Sequence, residues 1–225
     1  MPTTAELIDR LTADARPVRR LRRPALRALG WLGLAALFVA GLTAFEGLRP
    51  GLAAQLRDPW FAVGRAAAAA TALTAALATF ELSVADRSPR WIWLPLPFAL
   101  VWLGTMGYGC IADWLVEGAR GLRLGHSGDC FVAIMVTSVP LGALLFAMVR
   151  HAGPVRPIAT ALAGGLALAA VAEAGLTLYH DVEATVMDLL IHLLGVVVVI
   201  AFAVSGARTL FAAIGPRYED RPGIG

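Results

Sequence analysis

Ala25-Leu-Arg-Ala-Leu-Gly-Trp-Leu-Gly-Leu-Ala-Ala-Leu-Phe-Val-Ala-Gly-Leu-Thr-Ala-Phe45 is an apolar run long enough to cross a bilayer as one helix, which takes about 20 residues. It begins only after a cluster of arginines and exceeds the core of a signal peptide, so it reads as a retained membrane span. Working outward, runs of the same kind follow at 59–84, 91–111, 130–149, 157–179 and 185–211. The expected fold is all-α: an integral membrane bundle of six transmembrane helices over 25–211. A soluble segment at 1–24 precedes it and a short tail at 212–225 follows.

Composition points the same way. Of the 225 residues 58% are hydrophobic and 16% charged, with a mean hydropathy of +0.71, far too apolar for a soluble domain of this length. The net charge is only +3, and the positive side chains, all arginine, gather at membrane edges, which speaks against a direct nucleic-acid partner. Those arginines also orient the bundle. Most lie in the N-terminal segment, in the turns at 86–90 and 150–156, and in the tail after Ser205, whereas the opposite loops hold only Arg49, Arg57, Arg120 and Arg123. Arginine-rich short loops stay in the cytoplasm, so both termini are expected there.

The segment before Pro24 is the one substantial soluble stretch on that side. Leu7, Ile8 and Leu11 recur at helical spacing, with Glu6, Asp9, Arg10 and Asp14 on the other faces, which predicts a short amphipathic helix over 3–15. Thr3 and Glu6 have the spacing of a capping box, and Pro17 should end the helix near Arg16. The basic run Val18-Arg19-Arg20-Leu21-Arg22-Arg23-Pro24 follows. Such a helix either lies on anionic lipid headgroups or folds against a protein partner, since about a dozen residues are marginal alone in water.

On the outer side the loops are longer, at 46–58 and 112–129, the second with room for a short interfacial helix around Trp114. Pro95 and Pro97 in the third span and Pro140 in the fourth are expected to kink their helices. Small-residue runs at 66–70 and 161–165 allow close helix approach.

Ionisable groups within spans are costly, so their depth is informative. Arg65 and Glu173 lie about 9–10 Å in from the outer ends of the second and fifth spans, at 1.5 Å per residue, and could meet as an intramembrane pair. Asp188 and His192 share one face of the sixth span, while Cys110, Asp113, Cys130, His180 and Asp181 fall near outer ends. The inner half offers only Glu81, near its edge. These groups are either internal pairs that fix helix register or an outward-facing sensor or binding pocket. Cys110 and Cys130 face a compartment that permits a disulfide, but spacing alone does not pair them, and no tight metal-ligand spacing is present. A Walker loop, a zinc-protease motif, a nucleophile elbow and a dinucleotide fingerprint are also lacking, so neither catalysis nor a cofactor is expected.

The stretch Glu6-Leu-Ile-Asp-Arg-Leu-Thr-Ala-Asp-Ala-Arg-Pro-Val-Arg-Arg-Leu-Arg-Arg-Pro24, followed by six spans, resembles the NrsF-like family of bacterial inner-membrane anti-sigma factors. The likeness extends to Gly128-Asp129-Cys130 and the apolar run through Pro140. It implies a multi-pass inner-membrane protein that holds an ECF-type (extracytoplasmic-function) sigma factor and releases it on an envelope, redox or metal signal. Leu7, Ile8, Asp9, Arg10, Leu11, Asp14, Pro17, Val18, Arg19 and Arg20 would then form the partner-binding segment, and membrane lipid would be the other partner. Cys130 would be one of two sensing cysteines. The family's second cysteine directly follows a histidine at the outer end of the fifth span, whereas here His180 is followed by Asp181. Either the cysteine pair is absent, the simpler reading, or Cys110 on a neighbouring span replaces it. The alternative function is a small transporter or channel using the outer polar cluster, against which the scarcity of inner polar groups counts.

Overall fold

The computed structural model describes residues 3–13, 21–118, 127–150, 152 and 156–180, and in the last span residues 190, 194–195, 197–198, 201–202 and 204–206. Every regular element among them is helical. Helix α1 spans Thr4–Ala13, α2 Pro24–Glu46, α3 Leu52–Gln55, α4 Pro59–Leu82, α5 Leu96–Glu117, α6 Ser127–Arg150 and α7 Pro157–Tyr179, with a 3-10 turn at Pro89–Trp93. Five helical stretches among the described residues are long and apolar enough to cross a membrane. The expected sixth span falls largely outside the described residues; those described within it are helical.

Proline sets most of the helix starts. Pro24, Pro59 and Pro157 occupy the first helical position, where a missing N–H costs nothing and the fixed φ suits the helix. Asp58 caps α4 by accepting from the Trp60 amide at 3.1 Å. The same logic corrects the expectation for the third span. Pro95 is the N-cap of α5 and Pro97 lies in its first turn, so both initiate the helix and neither kinks it. The chain reaches Pro95 through the 3-10 turn, whose start Ser88 caps through the Arg90 amide at 3.3 Å. At its other end α5 runs on to Glu117, well past residue 111, and stops at Gly118, where φ is +56°. Trp114 therefore belongs to α5, not to a separate interfacial helix. In the loop expected at 46–58, α3 adds a single short turn after Gly51.

The helices alternate in direction. The end of the bundle at which α2 starts is termed the near end and the opposite one the far end; α4 and α6 begin at the far end, α5 and α7 at the near end. Helix α7 is central: its apolar window is 72% buried, and it packs against α4, α6 and α2. Its closest partner is α4, through a face of small residues that includes Ala68, Ala75 and Ala76 on α4 and Ala167 and Ala170 on α7. Small side chains let two backbones approach until dispersion contacts replace the absent hydrophobic drive. At Gly175 a Cβ would stand 3.0 Å from both methyl groups of Val39, and at Gly164 it would stand 3.1 Å from a Leu145 methyl group. Trp31 and Phe80 fill the core toward the near end.

Candidate functional site

Helix α1 starts as its sequence requires. The Thr3 amide donates to Glu6 Oε2 at 2.8 Å and the Glu6 amide donates to Thr3 Oγ1 at 3.4 Å, the reciprocal pattern of a capping box. The helix is strongly amphipathic, whereas α2 is apolar on all sides. Leu7 is 49% and Ile8 55% exposed, and no extensive contact joins α1 to the bundle among the described residues. Asp9 is exposed on the same helix. The backbones of Arg10 and Leu11 lie in α1 but their side chains are outside the described set, as are Asp14, Pro17, Val18, Arg19 and Arg20 altogether.

At the far end the structure brings Arg65 and Glu173 together. Arg65 Nη1 donates to Glu173 Oε1 at 2.6 Å and to Thr177 Oγ1 at 2.6 Å, with the guanidinium 5.3 Å from the centre of the Phe61 ring. Thr177 in turn donates to the Glu173 carbonyl at 2.9 Å. Glu173 is 3% exposed, so the carboxylate is held out of water by α4 and α7 jointly. This network joins the two central helices.

A second far-end arginine carries as many bonds. Arg49, placed by sequence reasoning in an open loop, is buried. Its amide donates to the Leu178 carbonyl at 2.8 Å, Nη1 to the His180 carbonyl at 3.5 Å, and Nη2 to Gln55 Oε1. The loop after α2 is thereby tied to the C-terminal end of α7. His180 is the C-cap of that helix, its amide donating to the Leu176 carbonyl at 2.8 Å, and its Nε2 is enclosed with no hydrogen-bond partner among the described residues.

Cys130 lies in the first turn of α6, one turn before Ile134, which packs in a cluster with Leu176 and Tyr179 of α7. Its backbone thus stands at the level where α7 ends. Cys110 is on α5, whose extensive partner is α4, while α6 packs against α7 and α2. The thiols of both cysteines lie outside the described residues, as do Asp181, Asp188 and His192. Among the described residues no group of three or more potential metal ligands is present.

The near end is more polar than its sequence suggests, which corrects the expectation that Glu81 is the one ionisable group there. Arg27, one turn into α2, is buried. It donates through Nη2 to the Met148 carbonyl and lies 4.9 Å from the centre of the Phe80 ring. Glu81 is also buried and pairs with Arg87 Nε at 3.2 Å. A cavity of about 560 Å³ opens between α6, α7 and the last span in this half, lined mainly by apolar side chains such as Val139, Leu145, Leu168 and Phe202.

These features define a polytopic helical membrane protein with an exposed, self-capped amphipathic arm and internally paired intramembrane charges. The family model described as negative regulator of sigma F matches residues 11–212, and the chain belongs to that family. The family's name indicates a protein that negatively regulates a sigma factor. Neither curated proteins nor solved structures gave a match.

Proposed function

We propose that this chain is a membrane-bound anti-sigma factor that sequesters an ECF-type sigma factor through α1 and the basic segment after it. In this reading the near end is cytoplasmic in a bacterial inner membrane, so that the arm meets the sigma factor as it is made. The observation that carries the proposal is α1 itself: a capped amphipathic helix whose Leu7 and Ile8 are exposed and unclaimed by any extensive contact with the described bundle. An apolar stripe flanked by Asp9 and Arg10 suits a helix-in-groove contact, with the aliphatic side chains as anchors and the charges setting register at the rim. The far-end groups Cys130, His180, Asp181, Asp188 and His192, with Cys110 on the neighbouring helix, are the candidate sensing residues. A signal acts there by differing in affinity between the holding and releasing states.

A reporter driven by the cognate sigma factor tests this. Leu7→Asp and Ile8→Asp are expected to switch the reporter on constitutively while membrane levels of the protein stay unchanged, because a carboxylate buried at an apolar contact costs several kcal/mol. Reporter output that remains repressed in both variants would contradict the reading.

A further inference from the structure

The start of α2 is gripped by α6 at two places. Trp31, fully buried, donates its indole N–H to the Leu141 carbonyl at 3.1 Å, and Arg27, four residues earlier on the same face of α2, donates to the Met148 carbonyl. The first acceptor, Leu141, directly follows Pro140, whose missing N–H leaves the Val136 carbonyl one turn earlier without its intrahelical donor, so the α6 ladder is interrupted next to this contact. Met148 is in the last turn, whose carbonyls have no intrahelical donor; the Val149 carbonyl next to it accepts from the Ala152 amide at 2.9 Å, and Arg27 supplies the partner for Met148. A cation near a helix C-terminus is favourable in itself. Arg27 is fixed further by its cation–π contact with the Phe80 ring beneath it.

Pro24 opens α2, and the arm that carries α1 joins it directly. We infer that Arg27 and Trp31 are positioning residues through which α6 sets the start of α2, and so the attachment of the sigma-binding arm. The inference rests on the proposed function for its purpose, though not for its geometry. Helix α6 has Cys130 in its first turn and Met148 in its last, so it connects the far end to the arm within one element. Donor bonds beside the proline and at the final turn couple the start of α2 to shifts of the second half of α6. The near-end Glu81–Arg87 pair, by contrast, stays within the turn after α4 and does not reach the arm.

The test is a double-mutant cycle on the full chain in lipid nanodiscs, read by hydrogen exchange at amides 21–30 without any sigma factor. Pro140→Ala restores a donor to α6 and is expected to change exchange in 21–30 by about two- to threefold or more, the smallest coupling usual between contacting residues. In the Arg27→Met, Trp31→Phe background the same Pro140→Ala change should leave 21–30 unmoved. Arg27→Lys, which keeps one donor for the Met148 carbonyl, should restore part of the response. If the doubly substituted chain does not insert, Trp31→Phe alone carries the test, and the response should fall by at least about half. An equal response in both backgrounds, or none in the native background, overturns the inference. Because no sigma factor is present, this outcome is independent of whether the arm binds one.

Discussion

Glu173 is held 2.6 Å from Arg65 inside the bundle, and removing either partner leaves an uncompensated buried charge. Glu173→Ala is expected to destabilise the bundle by about 3–5 kcal/mol, whereas Arg65→Met combined with Glu173→Leu should cost far less than the two single changes summed. Denaturant unfolding in mixed micelles measures both, and strictly additive losses would show that the pair is not a unit. Counting 1.5 Å per residue from the ends of two apolar runs is enough to set these two groups at one level, because depth in a span is a sequence property. Arg27 and Arg49 are not legible in that way. Each sits at the margin of an apolar run, where arginines ordinarily reach for water, and each is instead drawn inward by an acceptor supplied by another helix: the Met148 carbonyl for Arg27, the His180 carbonyl for Arg49. A lone sequence carries no signal for an acceptor donated by a distant segment.

Element by element, helix ends follow proline and glycine. Residues 157–179 are the expected fifth span and the bounds of α7, and Pro24 and Pro59 start α2 and α4. The third span is the exception: its prolines suggest a kink from sequence alone but stand at the helix start, where proline is well tolerated. What apolar pattern alone does not reveal is that α7 is the central helix, since the described spans are all apolar on every side. Glycine is the better guide. With 3.0 Å between a Cβ at Gly175 and the Val39 methyl groups, Gly175→Ala should force the α2–α7 contact apart and cost about 1–3 kcal/mol. Gly33→Ala, where a Cβ meets nothing within 4 Å, should cost little or gain slightly. Equal unfolding midpoints for the two variants would contradict the packing described for α7.

At the scale of the whole molecule, the chain divides into a membrane bundle whose charges are largely answered from within and an arm whose apolar face is not. Lipid can cover the bundle's outer surface, including exposed Leu37, Leu100 and Leu103, without any partner protein. Leu7 and Ile8 stand on a helix too short to persist alone in water, so they call for a surface to fold against. The family description indicates negative regulation of a sigma factor, and in the function proposed above the arm makes the physical contact. The most direct measurement is the affinity of the sigma factor that co-purifies with the intact protein, determined in nanodiscs for the full chain and for a chain lacking residues 1–23. Loss of affinity by about a hundredfold or more on removing the arm is the predicted result, since a few central apolar anchors dominate such contacts; equal affinity for the two chains would contradict the account.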